Sequence, residues 1–283
     1  MKEQDFLKII KKQTNSIYIG DDCAFLEDFG IVVSQDNFVE NIHFKRAWAT
    51  PFQIGYKATA VNISDILASG AKPYGISIGL SLPNVDTSFI EDFYRGVEAA
   101  SYGAKIIGGD ITGADKIFVS ITAIGETKNR KISSRSNAKP GYAVITSGKH
   151  GDSSLGLKEL QNGGNNKDLI LAHLEPKLDQ NFSEEIATQI KEDYAMMDSS
   201  DGLADALFQI AKASNVKIKT HNIPGMFGGE DYKLVAAVPK YFLKNLTKYY
   251  LIGDVVEYDG EFLNIDGKGY SFYDELGTYN HFE

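Results

Sequence analysis

Two patterns of hydrophobic residues alternate along the chain, one typical of strands and one typical of helices. Short apolar runs such as Ile31-Val32-Val33-Ser34 predict buried strands, whereas apolar residues three or four positions apart predict helices. Phe6, Ile9 and Ile10 recur at helical spacing among lysines, so we expect a short amphipathic helix packed on the body of the protein. From Pro51 to about residue 69 the pattern is again helical, with proline in the first turn.

Strand-like and helix-like segments continue to alternate towards the C-terminus. The strand at 105–107 is expected to stop at Gly108. A polar, turn-rich stretch at 129–142 predicts a domain boundary, because 283 residues are enough for two domains that each bury a core. We therefore expect two domains, residues 1–138 and residues 139–283. The other expected strands are 74–82, 117–125, 143–146, 194–197, 216–219, 232–238 and 251–258. The other expected helices are 85–102, 169–174, 183–190, 203–214 and 241–249, together with one that follows the loop at 147–152 and is broken at 162–166.

The amino-acid composition indicates a globular protein and argues against several other classes. A hydrophobic fraction of 43% with 24% charged residues is typical of a globular protein, and a net charge of −9 argues against a general nucleic-acid binder. The single cysteine, Cys23, excludes an intramolecular disulfide and is expected to be a small buried residue rather than a nucleophile. Neither a secretory signal nor an apolar run long enough to span a bilayer follows the charged start, so we expect a cytoplasmic protein without a membrane partner.

Carboxylates occur where apolar elements end, or inside them. Asp21 and Asp22 are adjacent and repel each other unless a cation or donors compensate them, although a solvated turn would also explain the pair. Asp36 is expected at the end of the strand that starts at Ile31. Asp65 lies within an apolar helical segment, on one face with Asn62, where a carboxylate is unfavourable unless it is paired or binds a metal.

Asp198 and Asp201 add a further pair at a strand-to-helix junction. A serine or aspartate there would cap the helix that follows, but capping explains only one of the two carboxylates. Many carboxylates converging on one cleft require divalent cations, and all-oxygen ligands favour Mg²⁺ over zinc. An acidic cleft with Mg²⁺ suggests a polyphosphate substrate, although neither a Walker A loop nor a G-x-G-x-x-G turn occurs.

Eight short blocks, in order along nearly the whole chain, resemble the thiamine-monophosphate kinase family of the aminoimidazole ribonucleotide synthetase-like superfamily of ATP users. Each block is weakly specific, and their ordered combination is strong. The blocks are Gly20-Asp21-Asp22-Cys23-Ala24; Ser34-Gln35-Asp36-Asn37 with Val39-Glu40 and His43-Phe44; Ala60-Val61-Asn62-Ile63-Ser64-Asp65; Gly108-Gly109-Asp110; Arg135 with Lys139-Pro140-Gly141; Asp198-Ser199-Ser200-Asp201-Gly202-Leu203; Gly229-Glu230-Asp231-Tyr232; and Tyr279-Asn280-His281-Phe282.

The resemblance implies ATP-dependent phosphorylation of thiamine phosphate to thiamine diphosphate by direct in-line transfer. It also implies an N-terminal α+β domain that pairs through its sheet into a homodimer, and a C-terminal α+β domain that closes the nucleotide cleft. The implied Mg²⁺ ligands are Asp22, Ser34, Gln35, Asp36, Asp65, Asp110, Asp198 and Asp201; the implied ATP contacts are Gly109, Asp110, Arg135 and Ser200; the implied contacts to thiamine phosphate are His43, Glu230 and Tyr279; and the implied catalytic group is Asp36, Asp65, Asp110, Arg135 and Asp201.

The chain departs from the family pattern at four places. Asn41 stands where the family usually has glycine, and the chain is shorter than usual between Ile223 and Gly228. Gln35 and Asn37 stand where the family usually has threonine, and residues 175–179 lack both arginines of the usual Arg-Pro-x-Pro-Arg. Without the resemblance, His43 is equally well explained as a packed histidine and Glu230 as part of a polar turn. The alternatives are a superfamily enzyme with another acceptor, or an acidic protein that binds divalent cations without catalysis; for the latter, the Ca²⁺-loop motif of EF-hands does not occur.

Overall fold

The computed structural model describes residues 3–84 and 87–277, which form an α+β fold with two sheets. The helices are α1 (Glu3–Thr14), α2 (Pro51–Ala68), α3 (Thr87–Ala99), α4 (Asp152–Asn162), α5 (Lys167–Leu174), α6 (Gln180–Gln189) and α7 (Leu203–Ser214). The strands are β1 (Ala24–Leu26), β2 (Ile31–Val39), β3 (Lys72–Leu82), β4 (Lys105–Gly113), β5 (Phe118–Glu126), β6 (Tyr142–Thr146), β7 (Ala195–Asp198), β8 (Val216–Thr220), β9 (Leu234–Pro239), β10 (Tyr250–Glu257), β11 (Leu263–Ile265) and β12 (Lys268–Tyr270).

The first sheet has five strands in the order β1-β2-β5-β3-β4. Strands β2 and β5 are antiparallel, with Asp36 opposite Ile121, and β3 and β4 are parallel, with Gly79 opposite Asp110. Helices α2 and α3 pack together, and α2 also contacts β2 and β5. In this way α2 covers one face of the sheet and carries Asp65 next to β2.

The second sheet has seven strands in the order β12-β11-β8-β10-β6-β9-β7. Helix α7 packs on β7, β8 and β9, and β9 is buried along its whole length. Helix α2 contacts β7 and β9 as well, so it lies between the two sheets. This position explains why α2 is buried on most sides, and it brings Asp65 towards the end of β7.

Helix α2 starts where the sequence predicts. The Thr50 side chain accepts a hydrogen bond from the Gln53 N–H, the Gln53 side chain accepts one from the Thr50 N–H, and Pro51 occupies the first turn. Its packing on α3 depends on glycine, because a Cβ on Gly96 would lie 1.9 Å from the Phe52 carbonyl oxygen. A close approach of this kind fixes the position of α2 relative to its neighbour.

Several local expectations were wrong. Strand β2 does not end near Asp36 but continues to Val39, and β4 passes through Gly108 to Gly113, because both segments find ladder partners in neighbouring strands. The segment expected to be helical from 241 forms a short 3₁₀ turn, Lys240–Asn245, and strands β1, β11 and β12 were not predicted. Helix α1 forms, but its apolar side chains Phe6, Ile9 and Ile10 are 38–51% exposed rather than packed inside.

Candidate active site

Three carboxylates from distant parts of the chain meet between the sheets. Asp22 precedes β1, Asp65 lies in α2 and Asp198 ends β7, and each offers a carboxylate oxygen within 4.8 Å of the others. Asp198 is buried, and Asp22 and Asp65 are partly buried. We call these three residues the carboxylate cluster.

Short hydrogen bonds hold the cluster in place. The Ser34 hydroxyl donates to Asp65 Oδ2, and the Ser64 hydroxyl donates to Asp198 Oδ2 at 2.5 Å. The Asp36 N–H donates to Asn62 Oδ1 at 3.0 Å, which ties β2 to the face of α2 that carries Asp65. The predicted ligand Ser34 therefore lies directly against the cluster.

Burial and mutual repulsion raise the pKa values of two carboxylates in the cluster, Asp65 and Asp198. Burial raises the pKa of Asp65, and the charges of Asp36, Asp198 and Asp22 raise it further. Burial likewise raises the pKa of Asp198, with Asp22 next in effect. Like charges held this close favour protonation unless a cation binds among them.

Arg135 brings a positive charge to the cluster. Its Nη2 lies 2.9 Å from Asp22 Oδ1, and its backbone N–H donates to Asp21 Oδ1 at 2.7 Å. Burial would lower the pKa of Arg135, but Asp22 above all, followed by Asp198 and Asp65, raises it above its ordinary value. Asp21 thus anchors the Arg135 loop, while Asp22 faces the cluster.

A cleft of about 490 Å³ lies beside the cluster. Asp36 links the two, because it lines the cleft and also raises the pKa of Asp65. Five of the predicted site residues line this cleft: Asp36, His43, Ser200, Asp201 and Glu230. Phe38, Phe44, Trp48 and Tyr232 add aromatic surface to its wall. The described residues thus place acidic and aromatic side chains in one cavity.

Other predicted site residues lie elsewhere. Gly109 and Asp110 belong to β4, whose nine residues are all exposed, so this chain alone does not bring them into the cluster. The Gln35 side chain bonds Ser120 and Thr122 of β5, which leaves only its backbone carbonyl as a potential ligand. Tyr279 lies outside the residues that the structure describes.

The junction before α7 differs from the expectation of a side-chain cap. The N-cap residue is Gly202, with φ of +108°, and no side chain caps the helix. The Ser200 N–H instead donates to Asp198 Oδ1 at 3.2 Å. Capping therefore accounts for neither Asp198 nor Asp201, which strengthens the case that this pair serves the site.

Two residues of the site were missed from the sequence. Lys57 of α2 forms an ion pair with Glu230 and also contacts His173 of α5, which lines the cleft. A lysine in an apolar helical segment is as unusual as the aspartate at 65, and the same argument from burial could have identified it. His173 gave no comparable signal.

Comparisons with known proteins identify the family of this chain. Residues 20–127 match the family model described as AIR synthase related protein, N-terminal domain. The thiamine-monophosphate kinase of Aquifex aeolicus is 33% identical to this chain, over 94% of each protein, and that of Prochlorococcus marinus is 34% identical over 87% of this chain and 84% of the relative. The chain belongs to the thiamine-monophosphate kinase family.

Structural comparison shows that the similarity to this family covers the whole fold. The solved structure of AaThiL complexed with AMPPCP and TMP superposes with a TM-score of 0.89 at 32% identity, covering 99% of this chain and 97% of that one. The predicted α+β aminoimidazole ribonucleotide synthetase-like fold and the family resemblance are thus confirmed.

Proposed function

We propose that this chain is an ATP-dependent kinase that phosphorylates thiamine monophosphate to thiamine diphosphate. The observation that supports this proposal most strongly is that the carboxylate cluster is connected, through Asp36, to a cleft that has aromatic walls and contains Glu230. The acidic residues are suited to Mg²⁺ with a polyphosphate, and the aromatic residues with Glu230 are suited to an aromatic cation, as the two substrates of this reaction require. The AMPPCP and TMP bound by AaThiL support the same pairing.

The donor set fits Mg²⁺. Asp22, Asp65 and Asp198 offer hard oxygen ligands, and their unfavourable like charges are relieved when a divalent cation binds among them. Further proposed Mg²⁺ ligands are Ser34, the Gln35 carbonyl, Asp36, Asp110 and Asp201. The proposed ATP contacts are Gly109, Asp110, Arg135 and Ser200. When bound there, Mg²⁺ would neutralise the negative charge that develops on the phosphates during transfer.

The side chains of the cleft would position the acceptor. The phosphate of thiamine monophosphate is already ionised at neutral pH, so it needs orientation rather than a general base. His43 Nδ1 accepts a hydrogen bond from the Val39 N–H at 3.0 Å, so the neutral ring carries its proton on Nε2 as a donor. Glu230 would balance the cationic thiazolium, and Tyr279 is the third proposed contact to the acceptor.

The exposed edge of the first sheet supports the homodimer. Within residues 3–84 and 87–277, β4 is an edge strand that pairs with β3 alone, and its residues Ile106, Ile107 and Ile111 are 44–59% exposed. Long exposed apolar edge strands are usually covered in native proteins. A second copy that packs on β4 would cover these side chains together with Asp110.

The proposed domain boundary and location complete this assignment. Strand β5 of the first sheet ends at Glu126 and β6 of the second begins at Tyr142, so the linker region supports division into residues 1–138 and 139–283.

A cytoplasmic location is part of the proposal, since the buried Cys23 is a free thiol. No helix in the described ranges is long and apolar enough to cross a membrane.

Transfer of label tests the proposed reaction. The protein is incubated with Mg²⁺ and γ-labelled ATP, and thiamine monophosphate, thiamine and hydroxymethylpyrimidine phosphate are offered in turn. We expect label only in thiamine diphosphate. Label in a product of either other acceptor, with none in thiamine diphosphate, would favour the superfamily alternative with a different substrate.

Calorimetry separates the kinase from an acidic cation-binding protein without catalysis. We expect AMPPCP to bind only when Mg²⁺ is present, because the cluster otherwise repels the phosphates. Heat from Mg²⁺ alone, with no heat from AMPPCP in its presence, would contradict the kinase assignment.

A further inference from the structure

An ion pair lies in the wall of the cleft, away from the carboxylate cluster. Lys57 is 2% exposed, and its Nζ lies 2.9 Å from Glu230 Oε1. The same Nζ lies 3.3 Å from His173 Nε2. A lysine of α2 thus reaches two residues that belong to different segments of the second half of the chain.

The contacts define the hydrogen-bonding state of His173. Burial, followed by the charge of Lys57, lowers the pKa of His173 to about 4, so the ring is neutral at pH 7. Because the ammonium of Lys57 can only donate, Nε2 is the acceptor and the ring proton is on Nδ1. Nδ1 lies 3.1 Å from Ser153 Oγ and 3.5 Å from Glu230 Oε2. Glu230 is therefore flanked by Lys57 at one oxygen and by His173 at the other.

The backbone of Glu230 is held equally firmly. Its φ is +66°, in the left-handed region that residues other than glycine rarely adopt, and its N–H donates to the Ser200 carbonyl at 2.6 Å. Such a conformation persists only where the surroundings fix it, and it is concentrated at functional sites. The side chain remains 29% exposed, towards the cleft.

The position of Lys57 along α2 ties this pair to the cluster. Lys57 and Asp65 are eight residues apart, which places them on neighbouring parts of one helix face and about 12 Å apart along the axis. Val61 lies between them and lines the cleft. One rigid helix therefore sets the distance between Glu230 and the carboxylate cluster.

We propose that Lys57 is a positioning residue that holds Glu230 ionised and oriented for the cationic ring of the acceptor, with α2 setting its distance from the carboxylate cluster. The inference rests on the proposed function, because it assigns Glu230 to the acceptor. Without Lys57, the partly buried Glu230 carboxylate would lose the cation that holds Oε1 in place and favours its ionised form. The acceptor would then lose its electrostatic contact, whereas ATP binding at the carboxylate cluster would not change.

The decisive experiment compares the KM values of the two substrates. In Lys57→Met we expect KM for thiamine monophosphate to rise about 10–100-fold, which corresponds to loss of one charge-assisted contact, while KM for ATP stays within about twofold. A role in stability alone would lower the amount of folded enzyme without separating the two constants. Equal changes in both KM values, or no change in either, would overturn the inference.

A double variant tests whether Lys57 acts through Glu230. Glu230→Gln removes the charge that Lys57 holds, so adding Lys57→Met to it should change KM for thiamine monophosphate by less than about twofold. Independent effects that multiply would contradict the inference. The double variant leaves no unpaired buried charge, so it also carries the test if Lys57→Met does not fold.

Lys217→Met is the matched control. Lys217 is also buried, with a 6% exposed side chain, and it pairs with Asp259 and Glu261 outside the cleft. Its loss should leave both KM values unchanged. A wild-type protein that phosphorylates no thiamine monophosphate would refute the proposed function itself, whereas an active wild type with an unchanged KM in Lys57→Met refutes only the role of Lys57.

Discussion

Replacement of Asp65 by asparagine should stabilise the metal-free protein while abolishing phosphoryl transfer. Asp65, Asp22 and Asp198 have carboxylate oxygens within 4.8 Å of one another. Two unit charges at that separation repel by about 3.5 kcal/mol at an effective dielectric constant of about 20. Partial protonation and Arg135 reduce this repulsion, so we expect Asp65→Asn to raise the free energy of unfolding by about 1–3 kcal/mol in EDTA.

Thermal unfolding measures the effect. For a chain of this size, that gain corresponds to an increase in Tm of about 2–10 °C in EDTA. Added Mg²⁺ should raise the Tm of the wild type and have little effect on the variant, and the rate of transfer should fall at least 100-fold. Asparagine keeps an oxygen that can accept the hydrogen bond from Ser34, so the fold is preserved.

Asp92→Asn is the control for this experiment. Asp92 is 45% exposed and pairs with Arg95 on the surface of α3, so its loss should change the free energy of unfolding by less than about 0.5 kcal/mol. If Asp65→Asn lowered the Tm in EDTA, or if Mg²⁺ stabilised it as much as the wild type, the argument that the carboxylates of the cluster repel one another and bind Mg²⁺ would be wrong.

Three further predictions concern stability and assembly. Burial lowers the pKa of His150 and of His173 from 6.5 to about 4, so the stability that each neutral ring contributes is complete above pH 6.5 and is lost as the pH falls towards 4. Between pH 7 and pH 5, each histidine should cost about 2 kcal/mol of the free energy of unfolding, and urea unfolding of His150→Gln should show a loss smaller by that amount. A loss in His150→Gln equal to that of the wild type would contradict this argument. Gly96→Ala should lower the Tm, because its Cβ would clash with backbone, whereas Gly79→Ala, whose nearest contact is 3.7 Å, should not; equal Tm values would contradict the close packing of α2 on α3. Ile111→Asp on β4 should shift the protein from dimer to monomer in analytical ultracentrifugation, and an unchanged dimer would place the interface elsewhere.

Sequence reasoning succeeded where a single residue conflicted with its local surroundings. Asp65 within an apolar helical segment could be identified because burying a carboxylate without a partner is unfavourable. The start of α2 was equally clear from Pro51 and the apolar spacing after it. Lys57 carries the same kind of conflict, but its signal is weaker than that of Asp65, because a long aliphatic stem lets a lysine reach water from a partly buried position.

Sequence reasoning failed where long-range pairing decides the structure. Strand β2 continues through Gln35-Asp36-Asn37 because β5 pairs with it, and the polar residues there looked like the end of a strand. The ion pair between Asp22 and Arg135 joins positions 113 residues apart, and nothing local to either residue indicates it. The resemblance supplied both as site residues, whereas only the fold shows that they contact each other.

Binding of Mn²⁺ in place of Mg²⁺ tests the central claim most directly. Free Mn²⁺ is measured by electron paramagnetic resonance during titration of the wild type and of Asp65→Asn, each with saturating AMPPCP. We predict that the variant binds fewer Mn²⁺ ions, or binds them at least about tenfold more weakly, because it lacks a carboxylate of the cluster. Equal stoichiometry and affinity in the two proteins would show that the metal lies elsewhere and would contradict this account of the active site.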